Sequence, residues 1–161
     1  MEHPTRRLLL LGIGATGFAL VAGGLVLART MNLAACPLCI LQRMLFLLLA
    51  LEAILSISIA NRRSGAIASL VMAATAATGA YIALYQTWIQ RFARDVNCSA
   101  DQPWWEQLVN WAGSQIPWLF EATGLCSEAG WKFLSLSIAE WSLLAFTAMT
   151  CTALLSLRAR P

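Results

Sequence analysis

The sequence predicts an all-α membrane protein, an antiparallel bundle of four transmembrane helices, and three observations carry that prediction. First, the 161 residues are 59% hydrophobic and only 12% charged, whereas soluble globular chains carry about 25% charged residues. Second, four apolar runs lie near 8–28, 40–60, 66–88 and 137–157. Each reaches the about 20 residues that a helix needs to cross a hydrocarbon core. Third, Arg6 and Arg7, then Arg62 and Arg63, then Arg158 and Arg160 flank alternate ends of those runs.

The positive-inside rule turns the alternation into a topology. Both termini are expected in the cytoplasm, and the loops near 29–39 and 89–136 on the outer side. Arg29, Arg91, Arg94 and Lys132 also fall on the outer side, so the bias is incomplete. No segment alternates apolar and polar residues with period two, which counts against a β-barrel. The net charge of +3 is divided by topology rather than gathered into a basic patch, so no nucleic-acid partner is expected.

The first run follows Arg6 and Arg7 and ends near Ala28. It is longer than the about 7–15 residues of a signal-peptide core, so a retained helix is expected. Ala15, Ala19 and Gly23 recur in it at four-residue spacing. Ala73 with Ala77, and Ala76 with Ala80, do the same in the third run. Small residues so spaced let helices approach closely in lipid. Asn61-Arg62-Arg63-Ser64-Gly65 reads as a tight turn between the second and third helices. Glu52, in the second run, is expected to bond Thr75 or Thr78 across a helix interface.

Asp101-Gln102-Pro103-Trp104 in the long outer loop reads as a helix start, with Asp101 as cap and Pro103 in the first turn. A short amphipathic helix over about 103–113 is expected in the interface plane. Trp104, Leu108 and Trp111 share one of its faces, and Trp105, Val109 and Ala112 a neighbouring stripe. Pro117 bounds the next segment. All seven tryptophans, Trp88, Trp104, Trp105, Trp111, Trp118, Trp131 and Trp141, fall on the outer side or its membrane boundary. So short a loop makes a poor core unaided, which favours an outer segment spread on the bilayer. The chain 1–161 reads as a single integral membrane domain.

The five cysteines are Cys36, Cys39, Cys98, Cys126 and Cys151. Cys151 lies deep in the fourth run and is read as a packing residue. The other four are on the outer side. Cys98–Cys126 would suit a structural staple, since it would close a long loop. A Cys36–Cys39 bond would close almost no loop, and a C-x-x-C pair of that kind can cycle between dithiol and disulfide. Four thiols permit three connectivities, all open on spacing alone. A four-cysteine zinc site is disfavoured because Cys98 and Cys126 lack the usual paired spacing. A c-type haem is excluded because Ile40, not His, follows Cys39.

If the second helix begins at Cys36 or Pro37, then Cys36, Cys39 and Arg43 fall at i, i+3 and i+7 on one face. Both the helix N-terminus and the guanidinium stabilise a thiolate there. A dithiol at a membrane edge can pass electrons to something dissolved in lipid, and an intramembrane arginine beside it is a functional candidate.

The motif Cys36-Pro37-Leu38-Cys39-Ile40-Leu41-Gln42-Arg43, the loop pair Cys98/Cys126 and the segment Pro117-Trp118-Leu119-Phe120-Glu121-Ala122-Thr123-Gly124-Leu125-Cys126 resemble the bacterial disulfide bond formation protein B (DsbB) family over nearly the whole chain. The resemblance implies an inner-membrane, disulfide-generating oxidoreductase. It would reoxidise a periplasmic dithiol oxidase of the DsbA type and pass the electrons to a quinone, ubiquinone or menaquinone. By position, the partner's thiolate would attack Cys98 of a Cys98–Cys126 disulfide. Freed Cys126 would attack Cys36, and Cys39 would donate to quinone beside Arg43. Two features depart from the pattern. Gln42 stands where an acid is associated with the best-known members. Tyr85-Gln86-Thr87-Trp88 stands where some members carry a histidine. The competing readings are a scaffold whose outer cysteines are permanent staples, and a relative working in the opposite direction, such as a quinone-epoxide reductase. The position of the C-x-x-C at the start of helix two counts against the latter.

Overall fold

A computed structural model describes residues 4–58, 62–92 and 103–158. In chain order the elements are α1 (Pro4–Thr30), α2 (Pro37–Ser58), α3 (Arg62–Phe92), α4 (Trp104–Gln115), α5 (Pro117–Phe120), β1 (Lys132–Phe133), β2 (Leu136–Ser137) and α6 (Ile138–Arg158). Four of them are long and apolar enough to cross a membrane, over Arg6–Thr30, Pro37–Ser56, Gly65–Phe92 and Ile138–Leu157. The expected spans are therefore present, in an all-α membrane bundle. α3 is longer than expected at both ends. The stretch 62–65 opens the helix rather than forming a turn, since none of its residues bars a first helical turn, and the carbonyl of Gly65 accepts from the Ser69 hydroxyl at 2.9 Å. Its C-terminal end runs on to Phe92 because Ile89 is buried in a cluster with Leu38, Trp105 and Cys126.

α1 packs on α2, α2 on α3, α3 on α6 and α6 on α1, closing a ring of four helices. Phe46 of α2 and Phe146 of α6 meet across it, stacked with centroids 3.9 Å apart. Gly79 of α3 makes room for that pair, because a Cβ there would stand 2.4 Å from the Phe146 ring. On α1 the close approach falls at Gly14 and Gly17, whose Cβ positions lie 2.4 Å from the Ala53 Cβ and 2.8 Å from the Phe46 carbonyl oxygen.

That contact corrects one expectation. Ala15, Ala19 and Gly23 are exposed on the outward face of α1, because the glycines turn a neighbouring face towards α2. On α3, Ala73 and Ala76 are buried and Ala80 half-buried, while Ala77 is exposed. Cys151 is also exposed, on the outward face of α6, rather than packed inside the bundle.

At one end of the bundle Arg6 Nε donates to the Ser156 carbonyl at 3.1 Å, and the Ser156 hydroxyl to that of Ser69 at 2.7 Å. Midway, the Thr75 hydroxyl donates to Glu52 Oε1 at 2.8 Å, the bond expected for Glu52. At the other end Arg91 pairs with Glu140, joining α3 to α6. A hairpin, β1–β2, which the sequence does not announce, precedes α6. Its turn residues Leu134 and Ser135 have φ of 51° and 68°, as a two-residue type I′ turn requires.

α4 matches the expected amphipathic helix. Val109 and Ala112 are buried and Trp105 half-buried, whereas Trp104, Leu108 and Trp111 are exposed. Pro103 is its N-cap rather than a first-turn residue, with its carbonyl accepting from the Glu106 N–H at 3.0 Å. The expected cap Asp101 lies outside the described residues.

Candidate redox site

Helix α2 begins at Pro37, where the missing N–H costs nothing. Cys36 stands just before it. Its carbonyl accepts from the Ile40 N–H at 3.1 Å, and its sulfur accepts from the Cys39 N–H at 3.3 Å. Thus Cys36 Sγ satisfies one of the orphan donors of the helix start. The same geometry brings Cys36 Sγ and Cys39 Sγ to 2.9 Å, with the Cys36 thiol donating. Cys36 is buried and Cys39 half-buried.

Cys126 reaches this pair through backbone contacts. The N–H groups of Thr123 and Gly124 both donate to the Ala35 carbonyl at 2.9 Å. Gly124 lies so close that a Cβ would stand 2.5 Å from the Ala34 carbonyl oxygen. Cys126 then packs into an apolar cluster with Cys36, Leu38, Ile82, Ile89 and Trp105. The sulfur of Cys126, then that of Cys39, with burial adding to them, raises the Cys36 pKa well above the usual thiol range. The nearby Cys36 thiol, helped by the Leu38 N–H, lowers that of Cys126 against the opposing effect of burial. Cys36 therefore sits beside two sulfurs and is the group held protonated, while loss of the proton is eased at Cys126. Cys98 lies outside the described residues.

Two glutamines complete the surroundings. Gln86 of α3 donates from Nε2 to Cys36 Sγ at 3.2 Å and to Cys39 Sγ at 3.1 Å. Gln42 Nε2 donates in turn to Gln86 Oε1 at 2.7 Å. Both are almost fully buried, at 1% and 3% exposure. In the sequence both stand out only as departures from a family pattern. A signal for them is present there nonetheless, since a polar amide costs free energy in an apolar span unless it is hydrogen-bonded.

Arg43 follows Cys39 by one helical turn. Its guanidinium donates to the Leu119 carbonyl of α5, so that short helix steers it. Arg43, Gln42 and Cys39 line one side of a groove of about 120 Å³, whose other walls are mostly apolar residues of α1 and the segment after it, including Leu20, Val21 and Leu33.

The chain matches a family model described as disulfide bond formation protein DsbB over residues 6–156. Among similar proteins is a disulfide bond formation protein B from Dechloromonas aromatica (strain RCB), 37% identical over 147 residues covering 90% of this chain and 87% of that protein. One from Aromatoleum aromaticum is 34% identical over 151 residues, covering 92% and 90%. A disulfide bond formation protein B 1 from Pseudomonas fluorescens is 35% identical over 143 residues, covering 88% and 82%.

Proposed function

The chain belongs to the DsbB family of disulfide bond formation proteins, and from that premise we propose that it is a quinone-dependent oxidoreductase of the bacterial inner membrane that reoxidises a periplasmic dithiol oxidase of the DsbA type. In this reading both termini are cytoplasmic and the redox cysteines periplasmic, as the arginine alternation indicates.

The observation that carries the route is the position of Cys36 between Cys126 and Cys39. The reduced partner's thiolate attacks Cys98 of a Cys98–Cys126 disulfide, forming a mixed disulfide and releasing Cys126 as thiolate. Cys126 attacks Cys36. The Cys36–Cys39 bond breaks, the Cys36–Cys126 bond forms, and the electron pair leaves on Cys39. Exchange of this kind depends on the attacking thiolate fraction, and the lowered pKa of Cys126 supplies it. The partner's second thiol then displaces Cys98 and leaves the partner oxidised.

The residues around Cys39 fit a quinone. The groove's apolar walls suit a lipid-soluble ring, and its volume is of the order of the about 150 Å³ cavity that admits benzene. Arg43 offers a cationic donor for a carbonyl oxygen, and a guanidinium with five donors keeps capacity beyond its bond to Leu119. When bound, a quinone supplies a two-electron, two-proton acceptor. Cys39 holds its sulfur on the groove wall, Arg43 balances negative charge there, and Leu20, Val21 and Leu33 exclude water.

The test is turnover of purified protein with ubiquinone or menaquinone and a reduced DsbA-type partner. Cys39→Ser is expected to abolish quinone reduction, and survival of that reduction would remove Cys39 from its role. A partner lacking its resolving cysteine is expected to be trapped at Cys98; mapping of the trapped bond to Cys36 would invert the route.

A further inference from the structure

We propose that Gln86 is a catalytic residue whose side-chain amide donates a hydrogen bond to the thiolate formed on Cys39, and that Gln42 is the positioning residue that turns the amide's N–H groups towards the sulfurs. The inference rests on the exchange route above and adds to it a neutral hydrogen-bond donor at the leaving sulfur.

The geometry is specific. Gln86 Nε2 lies 3.2 Å from Cys36 Sγ and 3.1 Å from Cys39 Sγ, so one NH2 group reaches both atoms of the bond that must break. The amide's other end is held, because Gln42 Nε2 donates to Gln86 Oε1 at 2.7 Å. An amide has two faces, one donor and one acceptor. With the acceptor engaged by Gln42, the donor face is presented to the sulfurs. Gln86 comes from α3 and Gln42 from α2, and both are almost fully buried. Water therefore competes little for the donors.

A disulfide sulfur accepts hydrogen bonds weakly and a thiolate strongly. The N–H facing Cys39 thus gains most as the Cys36–Cys39 bond breaks and its electron pair settles on Cys39, while Cys36 bonds to Cys126; both donors gain when the pair is fully reduced. They favour the reduced form of the pair and make its disulfide a better acceptor of electrons from the outer cysteines. A disulfide oxidant gains its power in this way, by stabilisation of its reduced form. Arg43 acts on the same sulfur through charge from the groove side. Gln86 acts by direct contact and, being an amide, carries no proton equilibrium of its own.

The test uses the full chain in detergent with Cys98→Ser and Cys126→Ser, so that Cys36–Cys39 is the one exchangeable pair. Gln86→Met keeps an unbranched side chain of similar length and removes the donors. Gln86→His restores an N–H donor. Two readouts apply: alkylation of Cys39 by iodoacetamide on the acid limb of its pH profile, followed by peptide mapping, and the reduced fraction of the pair in glutathione redox buffers. Hydrogen bonds to a charged group matter at the level of about tenfold or more. Gln86→Met is therefore expected to slow Cys39 alkylation about tenfold and to move the pair's potential about 30 mV more negative, the two-electron equivalent of tenfold. Gln86→His should recover most of both, and Gln42→Leu should lose part of both. Helix content and melting temperature, read by circular dichroism, establish that the variants fold. A folded Gln86→Met protein with both readouts within twofold of the parent overturns the proposal, as does a loss that Gln86→His does not recover. Neither readout uses a quinone or a protein partner. Absence of quinone turnover would thus strike the proposed function alone, and an unaltered Gln86→Met protein would strike this inference alone.

Discussion

Cys36 performs two tasks with one sulfur: it accepts the Cys39 N–H at the start of α2 and donates its thiol proton to Cys39. Its proximity to Cys126 gives the sign of a pH effect. It holds the Cys126 pKa below the usual thiol range, so in the reduced protein Cys126 is expected to remain reactive towards iodoacetamide at pH values where an ordinary thiol has lost its thiolate. Cys36→Ala removes the neighbouring thiol, the Cys126 pKa moves up, and alkylation at neutral pH should slow several-fold, by up to about tenfold. An unchanged rate would show that Cys36 does not control Cys126. The relation of Cys36, Cys39 and Arg43 was legible in the sequence because it is local, at i, i+3 and i+7 on one helix. The approach of Gln86, 50 residues further along the chain from Cys36, was not. It depends on the rotation of α3 against α2, and hydrophobic periodicity in a uniformly apolar span does not specify that rotation.

Among the elements, the packing faces show the same limit. The four apolar runs announced four helices by length alone, but which stripe of α1 meets α2 is decided by Gly14 and Gly17 rather than by the equally small Ala15 and Ala19. Paired substitutions separate the two. Gly17→Ala places a Cβ 2.8 Å from the Phe46 carbonyl oxygen. That oxygen belongs to the α2 backbone, so it yields only at the cost of overpacking, about 1–3 kcal/mol. Gly23→Ala meets nothing within 4 Å and should be neutral or slightly stabilising through helix propensity, by at most about 1 kcal/mol. Thermal melting in detergent checks both, and equal effects would contradict the assigned faces. α4 was legible because its two stripes differ in polarity of surroundings, one exposed and one buried. The hairpin before α6 was not, because its turn places Leu134 and Ser135 at positive φ, where neither residue type gives a sequence signal. The segment that carries Cys126 depends on a single tight contact. Gly124→Ala would drive a Cβ to 2.5 Å from the Ala34 carbonyl oxygen, displacing Cys126 from Cys36. Exchange between the outer and inner cysteines should then slow at least about tenfold in stopped-flow quenching, with stability changed by no more than about 3 kcal/mol. An unaltered rate would mean that the loop holds Cys126 by other contacts.

For the molecule as a whole, the bundle joins two environments at one end. The segment 103–137 brings a thiol to the start of α2, and the groove between α1 and α2 opens Cys39 and Arg43 to apolar surroundings. Cys36 is the junction, buried at the start of α2 with a sulfur on either side. The composition and charge pattern disclosed the membrane bundle, and the C-x-x-C disclosed the dithiol. Only the fold shows that Cys126, and not Cys39 alone, packs against Cys36. The most direct measurement is therefore the identity of the bond formed when the relay is stopped one step short. The full chain carrying Cys39→Ser and Cys98→Ser is treated with the two-electron oxidant diamide, digested, and mapped by mass spectrometry. The account predicts a Cys36–Cys126 disulfide as the product. Recovery of Cys36 and Cys126 as free thiols in a folded, oxidised sample would contradict it.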